Sequence, residues 1–411
     1  MGESKTCAMG VLVGLVMAMA TWALAGEAPD PDKLTAASLV SFTHQDAYVE
    51  AVIDEFARQT GYELVIQKDR NGRPPNLPPV SLAIEKQPFW AAMREVCDKA
   101  DLTIWITGMP DSKLTLTPVR GMGMGGNIMA NPASIHGAFM TVITQLQRLN
   151  TADLADLPKI NRNLMMNINV YVEPKVKIVK WFSVPDMAEA VDEKGNSLLA
   201  PAVAAAQAPP VQRAAWSYGR GIGWMAVPLA YPPGAGEKIA SLRGKIRAVV
   251  QTKGEKLEIA EVMKAENVEK SAGGRRITLK GVKRLNEWQY QATIVFYRGA
   301  MDDQQFRDLL SNPGMQLVDA DGQEFMSAGG QWGGVWMNGG GMVFQPGGAP
   351  NPAPAGPAAE QTETEVKLMF YRQGRMGQAG APAEPAKLVW DLVTESREIA
   401  IPFEFKDLPL P

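Results

Sequence analysis

Val191-Asp192-Glu193-Lys194-Gly195 reads as a strand end running into a turn, and it is written a second time as Val318-Asp319-Ala320-Asp321-Gly322. Working outward from that pair, four more recurrences stand in the same order. Arg148-Leu149-Asn150 returns as Arg284-Leu285-Asn286, and the strand from Asn167 to Val172 returns as Ala292 to Tyr297. The strand ending at Tyr231 returns as the one ending at Tyr371, and Leu257-Glu258-Ile259 returns as Phe403-Glu404-Phe405. Five weak anchors in one order predict an internal duplication. Short strands punctuated by turn residues predict all-β units, so residues 133–265 and 270–411 are expected to form two tandem β-sandwich domains. The unequal offsets require insertions, which the Ala/Pro stretch 200–210 and the Gly/Pro-rich stretch 327–361 supply. The last strand places Ile399, Ile401, Phe403 and Phe405 on one face; it contains Pro402, which predicts an edge.

Upstream, residues 36–119 predict a compact α+β module. Val49, Val52, Ile53 and Phe56 repeat at helical spacing up to Gly61, and Tyr62 to Ile66 follows as a strand. Val80, Leu82 and Ile84 alternate as another strand, and Pro88 then opens a helix whose apolar face carries Phe89, Met93, Val96, Cys97 and Ala100. Thr103 to Thr107 and Lys113 to Thr117 finish the unit as strands. Tyr48, Val52 and Phe56 match Phe89, Met93 and Cys97 at one constant offset, which divides the module into two similar halves. A Gly/Met linker, 120–132, joins it to the β-repeats.

The run Phe56-Ala57-Arg58-Gln59-Thr60-Gly61-Tyr62, then Val80-Ser81-Leu82, then the helix from Pro88 to Ala100, resembles the secretin and TonB short N-terminal domain. The resemblance covers about a fifth of the chain. It implies a small exported module that serves protein–protein contact at the N-terminus of outer-membrane receptors or secretin channels. The receptor or channel role itself does not carry over, because the rest of the chain has no series of transmembrane β-strands with aromatic girdles.

Residues 1–25 have the layout of a secretory signal peptide. Lys5 gives a basic start, Ala8 to Leu24 an apolar core, and Ala23-Leu24-Ala25 a cleavage site. Export to the periplasm or cell envelope is therefore expected. Cys7 lies before the apolar core, so Cys97 alone would remain after processing, and no internal disulfide can form. A net charge of −3 without a basic stripe argues against nucleic acid, and no second stretch is apolar enough to span a membrane.

Each chemical motif in the chain has a plainer structural explanation. Gly121, Gly123 and Gly126 have dinucleotide-loop spacing, but Asn127 to Pro132 carries no helical period for the phosphate to face. Asp319-Ala320-Asp321-Gly322 begins like a calcium loop, yet Glu324 comes too early for its last ligand; a hairpin turn fits better. His44 and His136 lack partners at metal-ligand spacing. Cys97 falls on an apolar stripe, as a buried structural thiol would. Glu258 and Glu404, and likewise Glu261 and Asp407, recur between the repeats, whereas a general acid/base pair is needed once. No catalytic, cofactor-binding or metal residue is assigned.

Trp332, Trp336, Met337 and Phe344 interrupt the Gly-rich insertion and are the expected partner-contact residues. The whole predicts a non-enzymatic exported binding or scaffold protein of the bacterial envelope, working through envelope protein partners. An accessory subunit of an envelope transport or signalling complex is the alternative. A glycan would also suit exposed tryptophans, and a glycan-active hydrolase would need two carboxylates ~5–9 Å apart in one cleft.

Overall fold

The structure, a computed structural model, describes residues 31–69, 72–104, 113–119, 127–152, 160–182, 184–199, 216–217, 222–311, 314–332, 335–338, 341–343, 362–372 and 384–411. It is mostly strand, as the β-rich reading of the sequence requires. Among the described residues no helix is long and apolar enough to cross a membrane.

The N-terminal module contains α1 (Pro31–Thr35), β1 (Leu39–Ala47), α2 (Val49–Thr60), β2 (Glu63–Ile66), β3 (Val80–Pro88), α3 (Phe89–Ala100), β4 (Leu102–Ile104) and β5 (Lys113–Pro118). Strands β1 and β3 pair antiparallel, and β5 lies between β2, to which it is parallel, and β4. The two helices bury the faces that their spacing predicts: Val49, Val52, Ile53 and Phe56 on α2, and Phe89, Trp90, Met93, Val96 and Cys97 on α3. Each ends on a left-handed residue, Gly61 at φ 72° and Asp101 at φ 55°, whose N–H returns to the preceding turn. These caps are forty positions apart, so Val49 matches Phe89 and Ile53 matches Met93. The match of Tyr48 with Phe89 is one residue out: Tyr48 is the N-cap of α2 and is exposed.

The module does not end at 119. Asn127 caps a single 3-10 turn, Ile128–Ala130, and Ile128 and Met129 are buried in the module's core. The second half of the expected linker therefore begins with packed structure. Residues 120–126, with the three glycines of the dinucleotide-like motif, lie outside the described residues.

The first repeat comprises β6 (Ala133–His136), β7 (Phe139–Ala152), β8 (Ile160–Val172), β9 (Ile178–Trp181), β10 (Asp186–Asp192), β11 (Trp216–Ser217), β12 (Ile222–Ala230) and β13 (Lys238–Ala260). The second comprises β14 (Val268–Ala272), β15 (Arg275–Asn286), β16 (Gln289–Tyr297), α4 (Asp303–Ser311), β17 (Met315–Asp319), β18 (Glu324–Trp332), β19 (Val335–Asn338), β20 (Gly341–Val343), β21 (Glu363–Tyr371) and β22 (Pro385–Pro409). One sheet runs β11-β12-β8-β7-β6, and a larger one runs β10-β13-β22-β17-β18-β21-β16-β15-β14.

The duplication extends to fine detail. The β7–β8 ladder slips between Ile143 and Gln145, and the β15–β16 ladder slips between Leu279 and Gly281, at the equivalent place. Strand β10 meets β13 with a slip between Val191 and Asp192, and β17 meets β22 with one between Val318 and Asp319. Glu261 and Asp407 both hold positive φ, at 47° and 53°. They therefore mark matching bends, consistent with the structural role expected of them.

The expected boundary between 265 and 270 needs correction: it separates the repeats in sequence but not their cores. Strands β13 and β22 pair antiparallel from Lys238–Pro409 to Ala260–Lys387, a ladder about 75 Å long at the usual rise per residue. Ile239, Leu242, Ile246, Ala248 and Val250 at the start of β13 share one core with Ile401, Phe403, Phe405 and Leu408 from the end of β22. Leu257 and Ile259 at the end of β13 share the other core with Leu388, Trp390 and Leu392 from the start of β22. Each repeat thus lends the tail of its last strand to the other. Gly244 faces Phe403, and a Cβ there would come within 2.7 Å of its ring. Strand β22 as a whole lies between β13 and β17, but among the described residues its second half pairs with β13 alone, which places Pro402 at the edge of that ladder.

The Gly-rich insertion is also corrected in part. Its first half is not loop: β18, β19 and β20 form a meander, with Gln331 opposite Trp336 and Met337 opposite Met342.

Strand exchange makes a distinctive prediction. Phe403→Ala lies in the second repeat but empties volume from the first core, at a cost of about 3–5 kcal/mol. Amide hydrogen exchange should accelerate in β8 and β12 before β16 and β21. Loss of protection confined to β16 and β21 would refute the exchange.

Candidate interaction site

The functional geometry with most contact behind it is the seat of the N-terminal module on the first repeat. Along β7 the residues alternate: Phe139 and Ile143 turn into the repeat's own core, while Met140 and Val142 turn outward. Tyr171 and Ile222 extend that outward face across β8 and β12, and all four are buried in the core of the module. Trp90 of α3 packs edge-on to Tyr171, with ring centroids 6.1 Å apart, and its indole N–H donates to the carbonyl of Ala138 at 3.0 Å.

A buried carboxylate locks this seat. Glu173 follows directly on β8 and is fully buried. It accepts from the Ser38 N–H at 3.0 Å, the Ser38 hydroxyl at 2.6 Å and the Tyr62 hydroxyl at 2.8 Å, and the Lys175 ammonium lies 3.4 Å away. Lys175 donates onward to the Ala36 carbonyl at 2.6 Å and the Ser38 hydroxyl at 3.0 Å. A buried charge is tolerable only when paired and hydrogen-bonded in this way, and removing one member leaves the others stranded. Burial pushes the Tyr62 phenol above its ordinary value, so it stays protonated and donating. Gly137, at φ 55°, completes the joint: a Cβ there would sit 2.2 Å from the Thr35 carbonyl.

A serine beside a lysine and a tyrosine is a combination some hydrolases use, but the proton arrangement here differs. The Lys175 ammonium is paired with Glu173 and donates to Ser38, whose own proton goes to Glu173. The cluster works as a joint between layers. Sequence reasoning missed it. Its one signal was Glu173 and Lys175 flanking Pro174 at the end of an apolar strand.

The second repeat offers no equivalent seat. By strand register, Met140, Val142, Tyr171 and Ile222 correspond to Arg276, Thr278, Tyr297 and Glu363, and Glu173 corresponds to Gly299. The Arg276 guanidinium stacks over the Tyr297 ring at 3.9 Å and lies 3.6 Å from Glu269. Arg276 and Tyr297, with Gly274, Arg298, Gly299, Thr362 and Glu363, line an open recess of about 490 Å³ where the apolar module would have to sit.

The sequence-predicted sites resolve as follows. The backbones of Trp332, Trp336 and Met337 lie in β18 and β19; Phe344 is outside the described residues. Cys97 is buried, and burial pushes its thiol up to about 12, which leaves it protonated and unreactive. His44 lies on β1 and His136 on β6, and among the described residues no three His, Cys, Asp or Glu side chains converge. Glu258 pairs with Lys387 at 3.1 Å and Glu404 with Lys406 at 3.0 Å, both exposed on their strands. Asp319 serves as the hairpin-turn residue: its carboxylate accepts from the N–H groups of Asp321 at 3.0 Å and Gln323 at 2.8 Å. Asp192 does the same for Lys194 and Asn196, and its second oxygen accepts from Gly236 at 2.7 Å.

Comparison with protein-family models, with curated proteins and with solved structures gives no match for this chain.

Two predictions follow from the joint and the turn. Glu173→Ala should cost about 3 kcal/mol in urea unfolding, and Tyr62→Phe about 1 kcal/mol. The double variant should lose less than their sum, because both remove the same bond; strict additivity would deny the network. For Asp192, burial alone would raise the carboxyl, but bonds from Asn196, Gly236 and Lys194 together hold it at about 2. Its contribution to stability is then complete above an ordinary aspartate value of ~3.9 and is lost as pH falls towards 2. Thermal midpoints measured from pH 5 to pH 2 should fall more steeply in the parent chain than in Asp192→Asn; parallel curves would remove Asp192 from the account.

Proposed function

We propose that this chain is an exported, non-enzymatic binding or scaffold protein of the bacterial envelope. In this reading two strand-exchanged β-sandwiches form the rigid part and carry the α+β module as a fixed contact piece. The observation that carries the proposal is the joint at Glu173. The polar cluster around buried Glu173, with Ser38, Tyr62 and Lys175, spends its hydrogen bonds fastening one layer to the next. That is the economy of a scaffold, in which side-chain chemistry fixes geometry. The signal-peptide pattern of residues 1–25 supports export, and the resemblance of residues 36–119 to the secretin and TonB short N-terminal domain supports protein partners.

The second reading, an accessory subunit of an envelope transport or signalling complex, is favoured by the same joint. A docking module bolted to a β-scaffold transmits position to a machine better than a tethered one does.

Cell fractionation followed by cross-linking tests both. The expected result is a processed chain, starting after Ala25, in the envelope fraction and cross-linked to a defined protein. Recovery of the chain only from the cytoplasm would overturn the proposal. A partner that co-purifies in fixed stoichiometry selects the accessory-subunit reading; a chain that purifies alone selects the free binding protein. Deleting the module is the wrong control, since it would bare Met140, Val142, Tyr171 and Ile222. The N-terminal processing site and point variants should be used instead.

A further inference from the structure

We draw no further inference here: the strongest candidate, the open recess on the outer face of the second repeat between Arg276, Tyr297, Arg298 and Glu363, carries nothing, because both guanidinium groups are already paired, with Glu269 and Asp303, and nothing in the structure shows what covers it.

Discussion

The rest of the structure depends on the antiparallel ladder between β13 and β22. Neither repeat can complete its core alone, because Ile401, Phe403 and Phe405 close the first core from the end of the chain, and Leu257 and Ile259 close the second from its middle. The hydrophobic drive for each core therefore acts on strands that belong to both, and the two fold as one cooperative body. Contacts as distant in sequence as Lys238 with Pro409 must form before either core is sealed. Such closure carries a large entropic cost and predicts slow folding relative to the size of each repeat. Between the cores, residues 251–256 and 393–398 form a polar, mostly exposed ribbon in which Lys253 reaches Glu395 at 3.6 Å.

From this symmetric frame the two repeats have diverged on their outer faces. The first presents Met140, Val142, Tyr171 and Ile222 to the module and buries Glu173 at the joint. The second has Arg276, Thr278, Tyr297 and Glu363 at the matching places, with Gly299 in place of the glutamate. A guanidinium and a carboxylate cannot be buried beneath an apolar module without partners, so the module has one seat on the chain. Specificity here comes as much from what the second face rejects as from what the first attracts.

Much of this was legible in the sequence, and the failures have physical causes. The duplication anchors Arg148/Arg284, Asp192/Asp319 and Leu257/Phe403 hold in the ladders. Two others are one residue out: Tyr171 aligns with Tyr297, and Ala230 with Tyr371. Residue type alone does not fix register: a slip of one residue keeps a similar apolar run in place while it turns every side chain to the other face. Strand exchange was invisible for a stronger reason. A residue that faces a core reads the same whether the core is its own or its twin's, so Phe403 gives no sign of where it is buried. The Gly-rich stretch misled in the opposite way: glycine weakens a strand but does not forbid one, and the backbone ladder of β18 to β20 needs no side chain.

The exchange also bears on why such a chain would be built from a duplication at all. Two domains joined by one linker can reorient freely, as most tandem domains do. Here the connection is two strands, hydrogen-bonded to each other through the whole passage between cores, so reorientation must bend or break a ladder. The first repeat is in turn fastened to the module through Glu173, Trp90 and Gly137. Module, first core and second core thus form a chain of fixed joints, with each joint made of buried or ladder-paired groups. A protein whose task is to hold one surface at a set distance from another gains from this arrangement, whereas one that must close around a substrate would be hindered by it. The proposed scaffold role thus draws its support from how little freedom the connections leave, whatever the contact residues are.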